Sequence, residues 1–351
     1  MVAVVACTVL VSLACGHAQS GAPSRSPAAD GSPAQTPEAS PGGGRPSNGS
    51  KILVGSKPWA VAVDSAANRI YVANEGDNTL SVLDGDSGEI VRTIDVGKGP
   101  SAVAVNPVTG RVYVTNLLSD SVSVISSDTL SLLATVPVGD SPWDVAVDSA
   151  LNRIYVTVSD EDRVSVINGE DNSIVATIPV DGTPKGVDVN PDSHLIYVTS
   201  ADKRADSVTV VDPSSGKIRG TVRVGEAPWS VAVDPGRNRV YVANSEAATL
   251  TVIDEAARTV VSTVTVGTGP VSVAVDLASG RIFVANSFDD TVSVIDPETL
   301  EVVRTLCSGG RPWDISLDTE TARMYVANAG SDSVSVFDNP GAAGDDGGSG
   351  C

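Results

Sequence analysis

All four tryptophans of the chain follow a proline directly: Pro58-Trp59, Pro142-Trp143, Pro228-Trp229 and Pro312-Trp313. Indoles repeated in one slot have two uses. They can form an aromatic ring that stacks a sugar or a cation, or they can alternate with small residues as interior packing. In the intervening copies of the slot stand Ser101, Lys185 and Val271. Lys185 therefore joins the candidate binding set, as does Arg311, which precedes Pro312; Lys57 precedes Pro58 in the same way. Acidic residues recur nearby in sequence, among them Glu75, Asp77, Asp120, Asp290 and Asp332, whereas one copy carries Lys203-Arg204 instead. A ligand meeting such a set would be cationic or neutral and sugar-like.

Other reactive types are sparse. The chain has two histidines, His17 near the start and His194 in a turn, so no second imidazole stands ready for a metal or a haem. Asp84-Gly85-Asp86-Ser87-Gly88-Glu89 faintly resembles a calcium loop, but its spacing fails the EF-hand pattern and an ordinary turn is the better reading. Gly-x-Ser-x-Gly, His-Glu-x-x-His, the phosphate loop and the dinucleotide fingerprint do not occur. No catalytic residue, metal ligand or cofactor is assigned. Cys307 and Cys351 make a possible disulfide if the compartment is oxidising, with two free thiols as the alternative.

What must position these residues is a repeat. The prolines at Pro58, Pro100, Pro142, Pro184, Pro228, Pro270 and Pro312 are separated by 42, 42, 42, 44, 42 and 42 residues. A fixed period in this range marks one supersecondary unit stacked on its neighbours. In the first copy, 59–64, 69–74, 79–84 and 89–96 are short runs rich in Val, Ile and Tyr, each bounded by Gly, Pro, Asn or Asp. They read as four antiparallel strands. The first two are apolar on both faces, and a sheet of that kind must be covered on both faces. Radial stacking around an axis does this, giving a seven-bladed β-propeller with four strands per blade. Trp59 shares strand parity with Val61 and Val63, so packing between blades is the preferred reading of the indoles. Asp64 and Arg69, repeated as Asn106/Arg111 and Asp148/Arg153, read as turn and strand-end structure, with Arg69 near Asp84.

Tyr113-Val114-Thr115-Asn116, with YVAN at 71–74, 241–244 and 325–328 and FVAN at 283–286, resembles the YVTN-repeat β-propellers. The resemblance implies seven blades and a surface or periplasmic protein, without one activity. The seventh repeat stops after its third strand, while Lys51-Ile52-Leu53-Val54-Gly55 aligns with a fourth strand. The N-terminal strand is therefore expected to complete the last blade and close the ring, removing open sheet edges. The domain then spans 51–339, with a Gly- and Asp-rich tail at 340–351.

Residues 1–15 read as a signal peptide, apolar and too short to span a bilayer. Ser12-Leu13-Ala14-Cys15 resembles the lipobox of bacterial lipoproteins, which implies lipidation at Cys15. Residues 16–50 are rich in Pro, Gly, Ser and Ala and read as a disordered tether with a reach on the order of 30 Å. A net charge of -20 and a pI near 4.3 oppose nucleic acid and anionic lipid. The expected protein is exported and held at the extracytoplasmic face of the membrane by its lipid alone, or else secreted or periplasmic. It acts as a monomeric binding or scaffold module whose partner is a cell-surface protein, a glycan or a small cationic or neutral ligand. The alternative is a propeller-type hydrolase, lactonase or lyase, which carboxylates converging in the channel would favour.

Overall fold

A computed structural model describes residues 49–201 and 206–341. Among these, seven four-stranded antiparallel sheets follow one another along the chain. The first blade runs Pro58–Asp64, Arg69–Asn74, Thr79–Asp84 and Ile90–Asp95 from the axis outward, and the pattern repeats. The seventh takes three strands from the C-terminal end, Pro312–Asp318, Arg323–Asn328 and Ser333–Asp338, and its outer strand, Ser50–Leu53, from the N-terminal end. That closing strand pairs Ser50 with Val336 and Leu53 with Ser333. The ring closes as the repeat count requires.

The apolar second strands explain why the blades stack. Along Arg69–Asn74, alternate side chains face opposite neighbours. Tyr71 and Ala73 pack with Val112, Val114 and Ile125 of blade two. Ile70 and Val72 pack with Tyr325, Val334 and Val336 of blade seven. Seven such clusters alternate with the seven blades, so the core is a ring of interfaces rather than a single centre. The tyrosine of each YVTN-like run is buried at one of these interfaces, as Tyr71, Tyr113, Tyr155 and Tyr241 show.

The asparagine of the run has a separate task. Asn116 Nδ2 donates to Ser123 Oγ at 3.0 Å, as Asn74 does to Ser81 at 2.9 Å and Asn244 to Thr251 at 2.8 Å. This is why a small hydroxyl alternates through the third strand. A Cβ added at Gly97 would lie 2.5 Å from the Asn116 Cγ, so glycine is required where the asparagine stands. Blade four lacks the asparagine, having Ser200 there, and carries Asp181 in place of the glycine.

At the end of the ring away from the tryptophans, the expected turns form. Asp64 Oδ1 accepts the Ala67 N–H at 3.1 Å, and Asn68 and Gly110 take left-handed φ values of 51° and 60°. Arg69 meets Asp84 at 3.2 Å, and Arg239 meets Asp254 at 3.1 Å. The Asp and Arg repeats are structural.

Candidate functional site

Every inner strand is bulged where it begins. The register against the second strand shifts between Pro58 and Ala60, and likewise at Pro100, Pro142, Pro184, Pro228, Pro270 and Pro312. Proline at a first strand position withholds no ladder N–H, and a bulge re-aims the side chain that follows. The residue re-aimed is the tryptophan. Parity with Val61, which assumes an unbroken pleat, therefore misplaces it. The four indoles meet one another instead of filling blade interfaces. Trp59 stacks on Trp313 with centroids 5.1 Å apart and planes at 16°. Trp143 lies edge-on to Trp229 at 5.2 Å, and the Trp59–Trp143 and Trp229–Trp313 contacts at 6.2 Å complete a cycle. Blades one, three, five and seven thus contribute an aromatic plug across one mouth of the axis. Neither an open aromatic ring nor interblade packing describes it.

Lys185, from the same slot in blade four, lays its ammonium 3.8 Å from the Trp143 ring centroid and 5.6 Å from that of Trp229. Enclosure pulls its pKa down to about 8 against the opposing pull of Asp160. The indole face in effect holds a cation supplied by the protein itself. Arg311 is not part of this cluster. It lies exposed on the linker into blade seven with φ of 51°, and its N–H donates to Asp290 Oδ1 at 2.7 Å. Lys203 and Arg204, Cys15 and Cys351 lie outside the described residues. Cys307 is disulfide-bonded.

The acidic loops around the mouth have a structural use that composition alone does not reveal. Asp332 Oδ1 accepts the Lys57 N–H at 2.8 Å, Asp120 Oδ1 that of Ser141 at 3.1 Å and Asp206 Oδ1 that of Ala227 at 3.2 Å. Asn78 does the same for Gly99 at 2.9 Å. Each latches a loop to the linker that crosses to the next blade.

Below the plug is a cavity of about 80 Å³ bounded by the four tryptophans, Ser101, Ser272, Asp144 and Asp314. Two of its acids, and Asp188 deeper in the channel, went unnoticed in the sequence. Asp144 accepts the N–H of Val145 at 2.8 Å and of Val187, on the next blade, at 2.9 Å. Asp188 bridges to Val233 at 2.9 Å and Asp314 to Val61 at 3.0 Å. An inner strand has no further strand toward the axis, and these carboxylates satisfy its edge N–H groups. All three are half-buried. Burial pushes Asp144 up to about 7, with Asp314 and Asp188 adding to the rise, and pushes Asp188 and Asp314 up to about 6. The available signal was a carboxylate where other copies carry small residues: Ala60 and Ala102 against Asp144, Ala62 and Ala104 against Asp188. Among the described residues, no group of three or more His, Cys, Asp or Glu is arranged to hold a metal ion.

His194 lies on the opposite face. It takes the left-handed turn slot with φ of 58°, and its Nδ1 is 2.6 Å from the buried Asp148 Oδ2 of blade three. It is a turn residue, as read, that also ties two blades together.

A family model for YNCE-like β-propellers matches residues 268–345, which cover blade six and the C-terminal strands of blade seven. The protein is a seven-bladed β-propeller. Its fold is similar to that of Kuenenia stuttgartiensis hydrazine synthase, with a TM-score of 0.73 and 18% sequence identity. The alignment covers 81% of this chain and 96% of that chain. At that identity the likeness concerns fold alone. No match is found among curated proteins.

Proposed function

We propose that the protein is an exported binding module whose recognition surface is the tryptophan-plugged mouth, and that its ligand presents an ammonium or guanidinium group. The observation that carries this reading is Lys185 over Trp143. A mouth that already seats a cation on indole, in a chain of net charge -20, has the electrostatics for a cationic ligand. The ligand either displaces Lys185 or joins it on the remaining aromatic edges. The rim carboxylates supply long-range attraction while their backbone latches keep the loops rigid. Attachment to the extracytoplasmic membrane face through Cys15 completes the proposal, supported by the apolar run before it and the lipobox-like residues 12–15. The YVTN-like runs in five blades support membership of that surface and periplasmic group.

All four tryptophans of the chain sit in the plug, so selectively excited tryptophan fluorescence reports on this site alone. Titration with tetramethylammonium and with an arginine-rich peptide should change the emission saturably. Lys185→Met should tighten the response several-fold by vacating the indole. Fluorescence indifferent to both cations, in wild type and variant alike, would reject the mouth as a cation site. Trp313→Ala should weaken the same response; a loss of melting temperature with unchanged binding would leave the plug a purely structural element.

A hydrolase, lactonase or lyase reading draws support from Asp144, Asp188 and Asp314, which come from three blades into one channel. Access counts against it. The cavity beside Asp144 and Asp314 is about 80 Å³ and lies beneath the plug, below the roughly 300–1,000 Å³ of common small-molecule sites. Lactone turnover that survives in wild type and disappears in Asp144→Asn would restore it.

A further inference from the structure

On the face away from the tryptophans, blades three and four enclose a groove of about 780 Å³, within the size range of small-molecule sites. Its polar lining is unusual for this acidic protein: Arg153, Arg219 and Arg258 with His194, against one carboxylate, Asp212. A second groove on the same face, between blades six and seven, has the opposite balance, with Asp276, Asp296, Asp318 and Glu298 against Arg281 and Arg323. The cationic lining is therefore a property of one position in the ring and not of the repeat.

Sequence departures in blade four build it. Arg219 occupies an outer-strand position where other blades carry Val91, Leu133, Val175, Val261 and Val303. Gly220 follows where Arg92, Ala134, Ala176, Ser262 and Arg304 stand elsewhere. The missing side chain makes a bed for Arg258, which crosses from blade five. A Cβ at Gly220 would lie 3.1 Å from Arg258 Cδ, and Arg258 Nη1 donates to the Arg219 carbonyl at 2.8 Å. Arg219 itself is paired with Asp212 by one nitrogen, Nη2. The Arg258 guanidinium is thus held by a backbone carbonyl and that of Arg219 by the Asp212 carboxylate, each with further N–H groups to offer. His194 adds a ring whose Nδ1 is committed to Asp148, and as the doubly protonated imidazolium it offers Nε2–H to an anion. Apolar side chains line part of the groove, with Leu151 44% and Val175 49% exposed beside Leu195.

We infer that this groove binds a small organic oxyanion, its carboxylate or phosphate held by Arg219, Arg258 and His194 and its apolar body lying on Leu151, Val175 and Leu195. Planar guanidinium groups favour such oxyanions over halide-like point charges, and charge-assisted hydrogen bonds give the interaction its strength. The site is separate from the tryptophan mouth and selects the opposite charge.

His194 is the one histidine within the propeller, so its ring carbon and proton signals report on the groove in the full chain, with His194→Gln used for assignment. Hexanoate, hexyl phosphate, inorganic phosphate and hexylamine are titrated separately. The expected result is a saturable shift with hexanoate or hexyl phosphate, and none with hexylamine. Whichever of those two binds more tightly identifies the headgroup. Weaker binding of inorganic phosphate confirms the apolar contribution. Arg219→Gln combined with Arg258→Gln should weaken binding by about tenfold or more, while Arg258→Lys keeps part of it. A response to hexylamine equal to that for hexanoate, or affinity unchanged in the double variant at an unaltered melting temperature, overturns the inference. So does the absence of any His194 shift with all four probes.

Discussion

Replacing Asp144 with asparagine tests the channel chemistry most directly. The carboxyl is raised from its ordinary 3.8 to about 7, because burial, with the neighbouring carboxyls of Asp314 and Asp188 adding to it, disfavours the charge more than two backbone N–H groups favour it. In the unfolded chain it ionises near 3.9. Between about pH 4 and pH 7 the folded ring therefore holds a proton that the unfolded chain has lost, and stability falls as pH rises. At about 1.4 kcal/mol per pH unit, the loss accumulated by pH 8 is on the order of 4 kcal/mol. Asparagine removes this loss. It keeps a carbonyl for one of the N–H groups of Val145 and Val187 and deprives the other, at about 1–3 kcal/mol. The two curves should cross: Asp144→Asn is the less stable protein at pH 4.5 and the more stable at pH 8. Asp188 and Asp314 act in both proteins, and removing a charge beside them shifts the difference the same way. Denaturant melts at pH 4.5, 6 and 8, followed by far-ultraviolet circular dichroism, measure it. Curves that run parallel from pH 4.5 to pH 8 refute a buried, proton-holding Asp144.

Three further outcomes follow from the ring and its ends. Removing the chain through Ser56 strips blade seven of the strand that pairs Ser50–Leu53 with Ser333–Val336 and of Ile52 and Val54 from its core, so a chain starting at Lys57 should melt lower or aggregate; an unchanged melt would contradict closure. Gly97→Ala should destabilise by about 1–3 kcal/mol through overpacking against Asn116, and adding Asn116→Ser, the blade-four solution, should recover part of that in a thermal melt. Thiol titration of unreduced protein should find no reactive Cys307, and its pairing with Cys351, put forward here as the partner, predicts a crosslinked peptide by mass spectrometry; a free Cys351 would reject the pairing.

Period, strand count and closure were legible because they rest on counting. Seven prolines at near-constant spacing and a blade short of one strand leave few arrangements of the chain. The Arg69–Asp84 pair and the Asp64 turn were legible for a related reason, since turn chemistry is local. The tryptophan plug was not. Its geometry depends on a bulge at Pro58, and a one-residue irregularity reverses any inference drawn from alternation. The acidic loops have a second role that composition does not reveal, since Asp120, Asp206 and Asp332 also hold linkers of the adjoining blade. Asp144, Asp188 and Asp314 passed unremarked because a carboxylate in an inner strand has meaning only once the strand is known to border an axial channel. The oxyanion groove likewise joins residues of three blades that no spacing rule connects.

The closing strand also determines how the molecule carries load. The chain enters the ring at Gly49 and Ser50, on the face away from the tryptophans, and Leu53 points toward the mouth. Tension between that entry and a ligand gripped at the mouth runs along the strand axis. All four residue pairs, from Ser50–Val336 to Leu53–Ser333, are then sheared together and share the force. Tension between the two chain ends pulls instead across the pairs from one side, beginning at Ser50–Val336, and peels them in succession. The ring is mechanically strong in the first direction and weak in the second.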